Sequence, residues 1–170
     1  MVRKISLSIV LCMLVASIFA EDAGKSSVRP LANVSRLSVV IDYQNAVIKG
    51  YSPSDYAEME KNWEEGKKEI KAKLIQSFNE SEINLKKDGS KMRLSPNYEE
   101  LVLYIQMIDI NDRGDTECIV IIQNRDGEKV SSLGTVKVKG GRFGTHINLM
   151  GDAAKNLGLK LAEMICPRLT

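Results

Sequence analysis

Three groups of residues in this 170-residue chain have types and spacings that could do chemistry. The first is Lys139-Gly140-Gly141-Arg142-Phe143-Gly144-Thr145, a glycine-rich run that follows a strand pattern and opens a helix pattern. Amides bared by glycine, a helix start and Arg142 could together cradle an anion. The run has neither the Lys-Ser/Thr ending of a phosphate loop nor the full GxGxxG spacing of a dinucleotide fold. A tight strand-to-helix turn accounts for the glycines. Gly140, Gly141, Arg142, Phe143, Gly144 and Thr145 therefore stand as a secondary candidate for anion or ligand binding.

The second group centres on His146, the chain's one histidine. A zinc site usually draws on several His or Cys ligands, and a nucleophile-base-acid triad would have to rest on this residue alone. A polar residue in the first turn of a helix fits His146 without chemistry. The third group is acidic. Glu58, Glu60, Glu64 and Glu65 alternate with lysines on one helical face and read as a solvated surface. Asp109, Asn111, Asp112 and Asp115 lack the central Gly and terminal Glu of a calcium loop, so a polar hairpin turn is expected there. No pair of acids stands out as a glycosidase pair. No catalytic residue, metal site or cofactor is predicted.

Cys118 and Cys166 could close a disulfide, which over that span would contribute about 4 kcal/mol in the chain-entropy picture. Two buried free thiols satisfy the same sequence.

The elements that must position these residues follow from periodicity. Leu37, Val39, Ile41 and Tyr43 alternate with more polar neighbours, which predicts a strand over 36–43. Ser52-Pro53 with Asp55 gives a helix start, and Tyr56, Met59, Trp63, Ile70, Leu74 and Phe78 carry an apolar stripe over 53–79. Gly66 lies on that stripe and marks close packing or a weak point. Trp63 reads as core. A loop is expected over 86–96, then strands over 98–109 and 116–124 joined by a polar turn. A second turn at Asp126-Gly127 leads into a strand over 129–139. A last helix starts near Thr145, buries Ile147, Met150, Leu157, Leu161 and Ile165, and ends before Pro167. The order β-α-β-β-β-α predicts an α+β domain over 36–170: a mostly antiparallel four-stranded sheet with two helices packed on one face.

The second and third strands are apolar on both parities, with Leu103 and Ile105 in one and Ile119 and Ile121 in the other. A sheet covered on one face should alternate. These four residues are therefore the candidate interaction surface, unless the chain's own loops cover them.

Arg3-Lys4, an apolar run over 5–19 and Ala20 before Glu21-Asp22 have the order of a cleavable secretory leader. The run falls short of the roughly 20 residues that cross a bilayer. A polar tether is expected over 21–35. The 24 Lys and Arg include Arg3 and Lys4, so after cleavage 22 would face 22 Asp and Glu. A neutral chain carries no nucleic-acid footprint, and no later segment predicts a membrane span. Asn33-Val34-Ser35 and Asn79-Glu80-Ser81 fit a glycosylation sequon, which matters only in a eukaryotic secretory route.

The stretch over 98–109, the Asp126-Gly127 hairpin, the run 139–145 and Leu149-Met150-Gly151-Asp152 resemble a group of uncharacterised exported envelope proteins of Bacteroides-like bacteria. More distantly the pattern is similar to the periplasmic domain of the curli-secretion lipoprotein and to TolB amino-terminal-like domains. The resemblance implies a βαβββα-type domain in the periplasm or outside a Gram-negative cell, with no catalytic residues to carry over. The expected function is a non-enzymatic interaction or assembly module that binds an envelope protein or a second copy of itself. A small-ligand or lipid-binding protein is the alternative, and a hydrolase comes third.

Overall fold

The computed structural model describes residues 31, 34–84 and 91–166; the leader, Asn33 and most of the tether lie outside the described residues. The elements run β1 (Arg36–Asp42), β2 (Val47–Ile48), α1 (Pro53–Met59), α2 (Trp63–Glu80), β3 (Arg93–Ser95), β4 (Leu101–Ile110), β5 (Thr116–Asn124), β6 (Lys129–Val138) and α3 (His146–Ile165). The class is α+β, as expected. The sheet, however, is mixed, with order β3-β1-β4-β5-β6 and β2 paired to the end of β4.

The two hairpins β4–β5 and β5–β6 are antiparallel. β1 pairs in parallel with β4, and this requires the long crossover that α1 and α2 supply. β3 corrects the loop expected over 86–96. It pairs in parallel with β1 and moves that strand from the edge to the interior. Asn79, at the end of α2, holds β3 in place: Leu94 N–H donates to its Oδ1 at 2.8 Å, and its Nδ2 donates to Leu94 O at 2.9 Å. That amide is committed to the backbone, which leaves the second sequon without a free asparagine.

The single helix predicted over 53–79 is two. α1 stops at Glu60, and Trp63 N–H donates back to Glu60 O at 2.9 Å. The break decouples Met59 from the apolar stripe, leaving it exposed, and swings Trp63 into the core between Tyr43 and Tyr56. Gly66 is a point of close packing, since a Cβ there would meet Ile147 of α3 at 2.7 Å.

α2 and α3 cover one face of the sheet and build the core with Leu37, Val39, Leu103, Ile105, Val120 and Ile122. Leu103 and Ile105 are fully buried there, opposite Ile122 and Val120. Ile119 and Ile121 point the other way. The four residues predicted as one surface thus belong to two faces, because the register sets odd positions of β4 opposite even positions of β5, which puts Ile119 and Ile121 beside Gln106 and Tyr104. On the far face, Val40, Tyr104 and Ile121 form one apolar row, and Ile119 sits in a row of Asp42, Gln106 and Thr135. Val40 is 42% exposed, and Tyr104, Ile119 and Ile121 are half-buried.

Cys118 and Cys166 are buried and are not joined in a disulfide. Cys118 faces the Val136 carbonyl from mid-sheet, whereas Cys166 caps the far end of α3 and meets Asn84 Oδ1 at 3.3 Å. The disulfide considered from sequence does not form. No helix among the described residues is long and apolar enough to cross a membrane.

Candidate docking site

The glycine-rich run joins β6 to α3 and meets the β4–β5 turn at one apex of the molecule. The turn is built first by Asn111. Its Oδ1 accepts from the N–H groups of Arg113 at 2.9 Å and Asp115 at 3.0 Å, which is what Asn does well beside a tight turn. Asp115 then ties the turn to the loop. Its carboxylate accepts from Gly140 N–H at 2.9 Å and from Lys139 Nζ at 3.0 Å. These bonds, the Gly140 amide first, hold the Asp115 carboxyl at about 2, well below its ordinary range. The calcium-like acids are thus a self-bonded turn, and among the described residues no group of three His, Cys, Asp or Glu could hold a metal.

The rest of the loop is fixed from α3. Gly141 N–H donates to Leu149 O at 3.1 Å, and Asn156 Nδ2 donates to Lys139 O at 2.8 Å. Thr145 is the N-cap, its Oγ1 accepting from Asn148 N–H at 3.3 Å. Gly144 takes a φ of 115°, a conformation that suits glycine. Asp152 places a carboxylate against Gly141, where an added Cβ would lie 2.5 Å from its Oδ2. That carboxylate, paired with Lys155 at 3.4 Å, occupies the space beside Gly141 in the run considered from sequence as an anion cradle.

His146 opens α3 with both ring nitrogens engaged. Nδ1 lies 2.6 Å from Tyr56 Oη and Nε2 lies 2.9 Å from Asn111 O. A neutral ring protonated on Nε2 satisfies both, accepting from the phenol and donating to the carbonyl. Burial, and then Glu60, push the Tyr56 phenol up to about 12, so it remains a donor. The histidine therefore ties α1, the β4–β5 turn and α3 together. The helix acids Glu64 and Glu65 pair with Lys67 and Lys68 in solvent, and Trp63 is core.

What this rigid apex displays is Phe143, 88% exposed. Arg113 and Arg142 are exposed on the same apex and have no ion-pair partner among the described residues, while Lys49 pairs with Asp112 and Lys139 with Asp115. Comparison with protein-family models, with curated proteins and with solved structures finds no match. The site is thus read from its own geometry. Phe143 lay inside the glycine-rich run that the sequence singled out. Arg113 and Tyr56 did not stand out, since each enters the apex only through contacts between distant segments.

Proposed function

We propose that this chain is an exported, non-enzymatic docking module of a cell envelope that meets a partner protein through the loop over 139–145. The observation that carries the reading is Phe143, a large apolar side chain held in solvent on a loop tied down at Gly140, Gly141 and Thr145. A loop already fixed in place loses little entropy on binding. Aromatic and arginine side chains are the residues that dominate interface energetics, and Phe143 stands with Arg142 and Arg113. Both His146 nitrogens face groups of the chain itself, Tyr56 Oη and Asn111 O, which speaks against its service as a general base toward a bound substrate. The enclosed space beneath α3 is about 10 Å³, too small for a ligand, and the larger hollow of about 540 Å³ lies at the surface between Arg113, Lys139 and Arg142. That favours docking over storage of a lipid or small molecule in the core. The leader pattern supports export.

The test is photo-crosslinking in intact cells of the source organism. A benzophenone side chain at position 143 should yield a discrete protein adduct, whereas one at Leu159, 46% exposed on α3, should not. No adduct from 143, or equal adducts from both positions, would sink the reading.

A further inference from the structure

Tyr43, Trp63 and Tyr56 form a continuous aromatic run from the core to the apex. The ring centroids of Tyr43 and Trp63 lie 5.0 Å apart, edge to face, and those of Trp63 and Tyr56 lie 5.1 Å apart. Tyr56 continues the run to His146, with Oη 2.6 Å from Nδ1. At the inner end, Tyr43 shares the lining beneath α3 with Met107 and Met150. Oxidisable sulfur side chains thus stand at one end of the run, and a hydrogen-bonded phenol–imidazole pair stands at the other.

A phenol that loses one electron becomes a strong acid and sheds its proton. The tyrosine oxidised most readily is therefore one with a base already in hydrogen-bond reach. Tyr56 has that base in the neutral imidazole of His146. Tyr43 Oη is buried with no hydrogen-bond partner among the described residues, so its proton has no acceptor beside it. Trp63 touches both rings, and of the two phenols Tyr56 is the one with a proton acceptor beside it.

We propose that Tyr56 is a redox-active tyrosine, the residue on which one-electron oxidation arriving at Trp63 comes to rest as its phenolic proton passes to His146. An oxidant of the azide-radical type takes one electron from the Trp63 indole and becomes azide anion, leaving an indole radical cation. One electron then moves from Tyr56 to Trp63 and restores the indole, while the phenolic proton moves to Nδ1. The products are a neutral phenoxyl radical on Tyr56 and an imidazolium whose Nε2–H still faces Asn111 O. Oxidising equivalents that reach Trp63 would thus come to rest on Tyr56, away from Tyr43 and the core beside it. This activity is separate from docking and uses neither Phe143 nor Arg142.

Pulse radiolysis of the full chain with azide radical tests it. The indole-radical absorption should decay together with a concentration-independent rise of phenoxyl absorption. Tyr56→Phe should abolish that coupled phase, and Tyr43→Phe should keep it. The proposal is overturned if the native chain lacks the coupled phase, if Tyr56→Phe retains it, or if Tyr43→Phe loses it as fully. Far-ultraviolet circular dichroism of both variants guards against a trivial loss of fold.

Discussion

Gly140 stands so close to the β4–β5 turn that a Cβ on it would lie 2.0 Å from the carbonyl oxygen of Arg113. The obstructing atom is backbone, inside a turn closed by Asn111 and Asp115, so it cannot swing aside as a side-chain tip would. Gly140→Ala should therefore destabilise the fold by about 2 kcal/mol or more, by forcing the two loops apart. Gly127 supplies the contrast. Its φ is 83° but nothing lies within 4 Å, so Gly127→Ala should cost about 1 kcal/mol, the left-handed penalty alone. Urea midpoints at fixed pH measure both.

Asp115 makes the same junction sensitive to acid. Its folded pKa lies at about 2, below the ordinary 3.8, chiefly through the Gly140 amide and then Lys139. A depressed carboxylate contributes stability that is fully present above the unfolded value and is lost as pH falls through the folded one. Stability should therefore decline between about pH 4 and pH 2. Asp115→Asn should remove that component and flatten the curve within this window. Thermal midpoints of both chains across pH 2 to 7 would show the difference. Parallel curves would place the acid sensitivity elsewhere.

Cys118 and Cys166 should behave as inert core thiols. Burial first, and then Glu117, push the Cys118 thiol up to about 12, so almost no thiolate is present near neutrality. Treatment of the folded protein with a thiol reagent at pH 8 should label neither residue, and labelling should follow unfolding. In denaturant without reductant both should react. A failure to label unfolded, unreduced protein would mean that the two are joined in a disulfide.

Much of the architecture was legible because local pattern and tertiary demand agreed. The apolar run of β5, the Asp126-Gly127 turn and the long stripe of α3 each state their own structure. Two elements were hidden for physical reasons. The break after Met59 depends on Trp63 finding Tyr43 and Tyr56, a contact between segments that no periodicity encodes. β3 is three residues long and exists through its pairing with β1 and its clamp on Asn79. The two-sided apolar pattern of β4 and β5 was real, but it could not reveal which parity faces the helices. Register decides that, and it left the far face a narrow strip. At the apex, the loop could be located from its glycines, whereas the exposure of Phe143 follows from how Asp115 and Leu149 hold the backbone.

The Asn79 clamp leads to a prediction of its own. Both halves of its amide bond the Leu94 backbone, so Asn79→Ala leaves a half-buried N–H and C=O unsatisfied at the sheet edge. The loss should be about 1–3 kcal/mol. It should be local, because β3 has one neighbour in the sheet. Hydrogen exchange should accelerate at the Leu94 amide while β5 stays protected. Uniform acceleration across the sheet would mean that β3 is integral to the core.

Phe143 is where stability and function should separate. At 88% exposure it buries almost nothing, so Phe143→Ser should leave the unfolding midpoint unchanged within about 0.5 kcal/mol. A side chain retained for packing would not behave this way. If the loop is the docking surface, the same substitution should weaken the partner contact by about 2 kcal/mol or more, the scale of an aromatic hot spot. Arg142→Glu should act in the same direction, because it reverses a charge that has no ion-pair partner among the described residues. Competition of each variant against the native chain for the partner captured at position 143 measures the loss. Full competition by Phe143→Ser would leave its exposure without a role.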